Sequence, residues 1–211
     1  MNEVRVRLIF HDTLGTRERR AAYAGTSAFE RFGVTCDCVD ASNRKALRCV
    51  RAGEMIGRIV MAEKPVVRLQ DLAFESLWAM AYPKTIYGLG VTPRRLNGAD
   101  NKAADAPLVL GVGLNRSGGV LSVFRMLETE GELGENAVAA AVRHELGHIF
   151  LKVKNGEPHY DGGHCRDTDC IMQKNGNYND FIERFVKPGL GFCLECAGRI
   201  NAAISLAMCS G

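Results

Sequence analysis

Five consecutive residues set the strongest constraint on this chain: His144-Glu145-Leu146-Gly147-His148. They lie within residues 137–151, the segment with the clearest helical pattern. Side chains four apart on a helix stand one turn apart on the same face, so both imidazoles project together. Two histidines and a glutamate on an apolar face are costly unless paired or bound to a metal. The spacing lets two ring nitrogens reach one Zn²⁺ at about 2.0–2.1 Å. Glu145 adjoins the first histidine without itself being a ligand. A carboxylate there can take a proton from a zinc-bound water and pass it to a leaving amine. Glu130, Glu132 and Glu135 precede or open the helix and suit the positive end of its dipole.

A catalytic zinc usually takes a third protein ligand. His11, His159, His164 or an acid such as Asp161 could supply it, and distance along the chain does not choose between His159 and His164. His11 follows the first strand without a partner pattern and reads as a capping or surface residue. The cysteines add a second pattern. Cys165 and Cys170 form one close pair, and Cys193-Leu194-Glu195-Cys196 holds another. Two such pairs match a four-thiolate zinc site. They cluster where apolar residues are fewest and a metal staple is most useful.

Composition narrows the setting. A chain of 211 residues with 46% hydrophobic and 24% charged side chains is expected to form a globule with a real core. The net charge of +3 is too small to argue for nucleic acid. No apolar run reaches membrane-span length, and residues 1–15 lack a signal-peptide apolar stretch. The expectation is a cytoplasmic protein whose eight cysteines stay reduced, as ligands, core residues or catalysts. Of the remaining four, Cys36 and Cys38 share a strand face, and with Cys49 and Cys209 they read as reduced core thiols.

Along the chain, residues 4–10 read as a strand, 16–32 as a helix stopped by Gly33, 34–39 as a strand and 42–50 as a short helix. Residues 51–67 are ambiguous between strand and irregular structure. A helix is expected over 69–82, a short strand over 86–91 and a surface loop over 93–107. Two strands, 108–112 and 119–126, are joined by a turn at 115–118. After Asn155-Gly156 the chain turns rich in Gly, Asn, Asp and Cys. One or two helical turns are expected over 179–185 and a terminal helix over 194–208. This order predicts an α/β (α+β) fold: a small mixed twisted sheet with backing helices and the metal-binding helix, then an irregular zinc-stapled lobe ending in a helix. The expected division is an upper subdomain, 1–155, and a lower one, 156–211, within one catalytic domain.

Taken together, His144 to His148, then His164-Cys165-Arg166-Asp167-Thr168-Asp169-Cys170-Ile171-Met172, then Cys193 to Cys196, resemble the archaemetzincins, zinc metallopeptidases of the metzincin clan. Gly90-Val91-Thr92 and the run Gly118 to Met126 are also similar, so the resemblance spans roughly residues 68–200. It implies catalytic zinc on His144, His148 and His164, with Glu145 as general base and acid. It implies Met172 as the Met-turn methionine beneath the metal, and a structural zinc on Cys165, Cys170, Cys193 and Cys196. It makes Leu108, Val109, Leu110, Gly111 and Val112 the edge strand along which a peptide lies antiparallel. The implied protein is a monomer with two zinc ions and a peptide or protein substrate, and without nucleic-acid or membrane partners. A zinc-stapled binding module and a pseudo-peptidase with little turnover are the alternatives.

One departure stands out. Metzincin helices end at a glycine three residues after the second histidine, with the third histidine three residues later. Here that position is Leu151, and His164 follows His148 by 16 residues. Leucine resists the left-handed conformation that glycine supplies. The helix is therefore expected to run to about Lys154, with Asn155-Gly156 making the reversal and His159 competing with His164. Tyr160 and Asp161 are candidate supports for the ligands, and Tyr178 is expected in the core or on the surface.

Overall fold

The computed structural model describes residues 3–50, 53–61, 66–68, 86–97, 108–109, 111–114, 118–151, 153, 157–175 and 177–209. The helix expected over 69–82, Leu110, the turn residues 115–117 and most of the loop over 93–107 lie outside them. The elements run β1 (Val4–Phe10), α1 (Thr16–Glu30), β2 (Val34–Asp40), α2 (Arg44–Leu47), α3 (Gly53–Val60), β3 (Val66–Arg68), β4 (Ile86–Thr92), β5 (Arg95–Asn97), β6 (Leu108–Val109), β7 (Gly111–Leu114) and β8 (Gly118–Ser122). Then follow α4 (Phe124–Leu127), α5 (Gly131–Phe150), the two-residue strands β9 (Tyr160–Asp161) and β10 (His164–Cys165), α6 (Tyr178–Phe181) with a π-turn over Ile182–Val186, and α7 (Leu194–Cys209).

The main sheet has the order β2-β1-β4-β8-β7. Its first four strands are parallel and β7 closes one edge antiparallel to β8. Parallel strands need crossovers, and the helices supply them on the faces of the sheet. The alternation in β1 explains its central place: Val4, Val6 and Leu8 are fully buried, while Arg5 and Arg7 face a wetter side. Arg7 sits opposite Asp37 in the β1–β2 register and grips its carboxylate with two N–H donors at 2.6 and 2.5 Å, a bidentate cross-strand pair.

The expected mixed α/β architecture is thus present, and three local expectations are corrected. Residues 53–60 form a helix, which two glycines and a short length had hidden; its Ile56, Ile59 and Val60 are buried against the sheet. The strand expected over 119–126 stops at Ser122 and becomes a helical turn. The Ser122 hydroxyl donates to the Arg94 carbonyl at 2.7 Å and accepts the Phe124 N–H at 3.4 Å, diverting the backbone from the ladder. The segment 108–112 is not one strand: β6 pairs with β5 in a separate three-stranded sheet, whereas Gly111 and Val112 begin β7.

A large core lies between the sheet, α1 and α5, and it continues into the C-terminal residues. Phe181, Phe185, Ile200 and Ile204 belong to the same buried cluster as β1 and α5, so the irregular region is packed as well as rich in metal-ligand types. Phe29 marks the junction. Fully buried on α1, its ring meets Phe150 of α5 at 5.7 Å and Phe192 at 5.4 Å between centroids. Phe29→Ala is expected to cost about 3–5 kcal/mol of unfolding free energy, the range for emptying a buried aromatic site. A urea titration checks this.

Candidate metal centre

Helix α5 carries His144, Glu145 and His148 one turn before its end. His144 and Glu145 are buried, at 5% and 4% exposure. The Nδ1 of His144 lies 2.7 Å from the Ile171 carbonyl oxygen. A carbonyl only accepts, so Nδ1 carries the proton and Nε2 keeps a free lone pair. That Nε2 is 3.0 Å from Nε2 of His148. His164 approaches from β10, with its ring centroid 5.6 Å from that of His144 and 4.8 Å from that of His148. One donor nitrogen from each of the three lies within 4.8 Å of the others.

Burial lowers the pKa of all three. Desolvation takes His144 down to about 4, partly opposed by its bond to Ile171 and aided by His164. Desolvation first, then His144 and His164, holds His148 well below the ordinary value. His164 is lowered chiefly by desolvation as well. Neutral imidazoles are the form that binds metal. The shifts also set a pH dependence for the metal-free chain. Unfolding lets these rings take protons near the ordinary value of 6.5, which the folded chain refuses until about 4 at His144. The unfolded state binds more protons between those values, so stability falls as pH drops from 6.5 towards 4. Urea midpoints in EDTA across that range should decline; a flat profile would place the histidines in solvent.

The helix ends where the chain departs from the metzincin pattern, but by a different route than expected. Helix α5 stops at Phe150 instead of running to Lys154, because Leu151 takes an extended backbone, φ −71° and ψ 110°. No left-handed residue is needed. The Leu151 N–H still bonds the Gly147 carbonyl at 2.7 Å, and its side chain drops into the core at 3% exposure. Residues 154–156 lie outside the described set. The chain then returns in a hairpin. Gly162 and Gly163, with φ of 55° and 87°, form a two-residue loop between β9 and β10, pairing Asp161 with His164 and Tyr160 with Cys165. Both positions need positive φ, the requirement of the primed turn that suits such a loop. The Gly-Gly pair was the signal for this hairpin, and a strand reading of its short flanks would have found it.

Two glycines fix the space beside the histidines. A Cβ on Gly147 would lie 2.2 Å from Met172 Sδ, so fully buried Met172 presses directly on the helix between the two motif histidines. A Cβ on Gly111, at the start of edge strand β7, would lie 2.4 Å from Glu145 Cδ and 2.5 Å from Oε1. The Glu145 carboxyl therefore occupies the volume beneath the edge strand. Gly111, one of the five residues expected along a substrate strand, is thus in reach of it.

A second group lies one residue beyond His164. Cys165 Sγ is 3.8 Å from Cys193 Sγ and 3.0 Å from His159 Nε2, and Cys193 Sγ is 3.6 Å from the same nitrogen. With Cys196 these donors all lie within 4.8 Å of one another. Cys170 is beside them but outside that set; its sulfur accepts the N–H groups of Cys193 at 3.4 Å and Met172 at 3.5 Å. His159 thus stands with the thiols and not with the motif histidines. Tyr160 does likewise, its hydroxyl 3.4 Å from Cys196 Sγ and its ring under the Arg199 guanidinium at 4.8 Å. Tyr178 bonds Thr129 at 2.7 Å and packs on the core. His11 is buried and holds a turn by accepting the Thr13 N–H at 3.1 Å. Of the remaining cysteines, only Cys36 packs against the core, half-buried; Cys38, beside it on edge strand β2, is exposed, as are Cys49 and Cys209, so these three are not the core thiols expected.

No protein-family model matches the chain. Over 82 residues it is 35% identical to an archaemetzincin of Archaeoglobus fulgidus, a stretch covering 39% of this chain and 42% of that protein. The match therefore spans less than half of the relative's length. In three dimensions the chain is similar to the crystal structure of an archaemetzincin from Methanopyrus kandleri, with a TM-score of 0.63, 18% identity and 96% coverage of both chains. Among the described residues, no helix is long and apolar enough to cross a membrane.

Proposed function

We propose that this chain, an archaemetzincin in fold and over part of its sequence, is a zinc-dependent metallopeptidase that hydrolyses peptide bonds. The observation that carries the reading is the convergence of three imidazoles, from α5 and the β9–β10 hairpin, beside a buried glutamate under an edge strand. The donor set fits zinc. Three neutral nitrogens, one oriented by a backbone carbonyl, form a ligand set that leaves a fourth position for chemistry.

Zinc held by His144, His148 and His164 would supply a Lewis acid that lowers the pKa of water to about 7 and polarises a carbonyl. Everything else falls to the chain. Glu145 accepts the proton of the attacking water and delivers it to the departing amine. Its carboxyl is held against β7, so the proton carrier and the substrate strand share one wall. Strand β7 ends the main sheet, and its outer backbone groups can pair with an extended peptide running antiparallel. Met172 and Gly147 keep the helix and the returning chain in contact beneath the histidines. A structural zinc at the cysteine group would fasten the returning chain. The protein would act as a cytoplasmic monomer on peptides or proteins, without nucleic-acid or membrane partners.

Metal analysis with a peptide-library assay tests this. Two zinc ions per chain are expected, and cleavage is expected to stop on chelation and return with added zinc. His164→Ala should remove one zinc and leave the thiolate-bound ion. A preparation that holds zinc at the histidines and cleaves nothing on the panel would overturn the peptidase reading.

A further inference from the structure

In chain order, the four parallel strands of the main sheet lie 2-1-3-4. From β1 the chain crosses to β2 on one side, and the path from β4 leads to β8 on the other. The connections diverge where the carboxyl ends of β1 and β4 stand side by side. In open α/β sheets such a switch point is where ligands bind. The residues of the two candidate metal groups come from other parts of the chain, so this position has no role in the peptidase reading.

His11 and Arg94 meet there. The His11 N–H bonds the Val91 carbonyl at 3.0 Å and ties the end of β1 to that of β4. The residue is 6% exposed. Its Nδ1 accepts the Thr13 N–H at 3.1 Å, so in the neutral ring Nε2 carries the proton, a donor without a partner among the described residues. Desolvation first, then the Arg94 charge, lowers the His11 pKa and favours that neutral ring. Arg94 is held at both ends of its peptide unit. The Thr92 hydroxyl accepts its N–H at 3.2 Å, and its carbonyl accepts the Ser122 hydroxyl at 2.7 Å. Thr92 and Ser122 are both buried. The backbone is fixed, yet the side chain holds nothing: Nε is buried without a hydrogen-bond partner, and no acid among the described residues pairs with the guanidinium. Asp12, the acid of the adjoining loop, is turned to the Ser42 N–H at 3.4 Å. A buried cationic donor left unpaired is costly, and a bound anion would remove that cost.

We propose that His11 and Arg94 form a further binding site, for a phosphate-class oxyanion, at the carboxyl ends of β1 and β4. The planar guanidinium fork by itself would suit a carboxylate equally well. A further N–H donor from a different strand end suits a tetrahedral anion, whose oxygens diverge. The clamp on the Arg94 backbone places the charge before the anion arrives, so little ordering is left to the binding step.

Titration of inorganic phosphate into the zinc-loaded full chain, followed by calorimetry and by urea midpoints, tests this. Phosphate should bind the parent and raise its midpoint. Arg94→Gln should weaken phosphate at least ~10-fold, the scale of a lost hydrogen bond to a charged group, and should be no less stable than the parent, because it removes an unpaired buried cation. His11→Asn keeps an acceptor for the Thr13 N–H and loses the Nε2 donor, and a weakening of about 3–10-fold is expected. AMP distinguishes a free ion from a phosphoryl group on a larger molecule: its binding should show the same loss in Arg94→Gln, and the tighter of the two ligands names the source. Phosphate held by a metal at the histidines would persist in both variants, and that result overturns the proposal. So does a parent that takes up no phosphate at millimolar concentration, or one that binds acetate as well as phosphate. If Arg94→Gln does not fold, Arg94→Lys replaces it, keeping the charge without the fork; unchanged phosphate affinity in both Arg94→Lys and His11→Asn overturns the proposal equally.

Discussion

Glu145→Gln is expected to lower peptide hydrolysis by about 10²–10⁴-fold, the usual contribution of a positioned general acid–base, with both metals retained. The amide keeps the shape of the carboxylate but cannot carry the proton. Glu145 is 4% exposed, so this isosteric change is preferred to truncation, and Glu145→Ala serves as the partner variant. Both should bind a peptide hydroxamate as the parent does while failing to turn over. Unchanged kcat/KM in Glu145→Gln would remove the residue from the mechanism.

Gly111→Ala is expected to lower turnover by about 10²-fold, the scale of a 1 Å misplacement at a reacting group. The added Cβ would lie 2.4 Å from Glu145 Cδ and 2.6 Å from its Cγ. The strand cannot retreat without breaking its pairing with Leu121 on β8, so the carboxylate moves. The atoms nearest the added Cβ all belong to Glu145, so zinc content should not change. The defect should appear in kcat more than in KM, because the displaced group acts on the proton and not on the peptide backbone. Should Gly111→Ala behave as the parent, the carboxylate has room that the close approach denies.

Helix α5 was legible because its periodicity and its two histidines reinforce each other. Strand β1 was legible because Val4 and Val6 alternate with Arg5 and Arg7 before an apolar run, and β2 as a short run bounded by Gly33. Three features escaped for physical reasons. The extended conformation of Leu151 depends on burying its side chain, a tertiary effect that overrides local backbone preference. The stop at Ser122 depends on a hydroxyl reaching Arg94, 28 residues away. The place of His159 depends on hairpin register. Along the sequence His159 lies between His148 and Cys165, and only pairing across Gly162-Gly163 decides which group it joins. The cysteine spacing correctly marked a cluster.

The two-residue strand β10 has a thermodynamic consequence. His164 and Cys165 are consecutive, and neighbouring strand residues point to opposite sides. One imidazole is turned toward the motif histidines and the adjacent thiol toward Cys193. On the two-metal reading, a single peptide unit is shared by both coordination spheres. Whichever ion binds first fixes that unit's torsions and removes part of the ordering cost for the second. By linkage, the second ion must raise the affinity for the first by the same factor. The two centres would then load as a coupled pair, with the Gly162-Gly163 turn as the element whose stiffness sets the strength of that coupling.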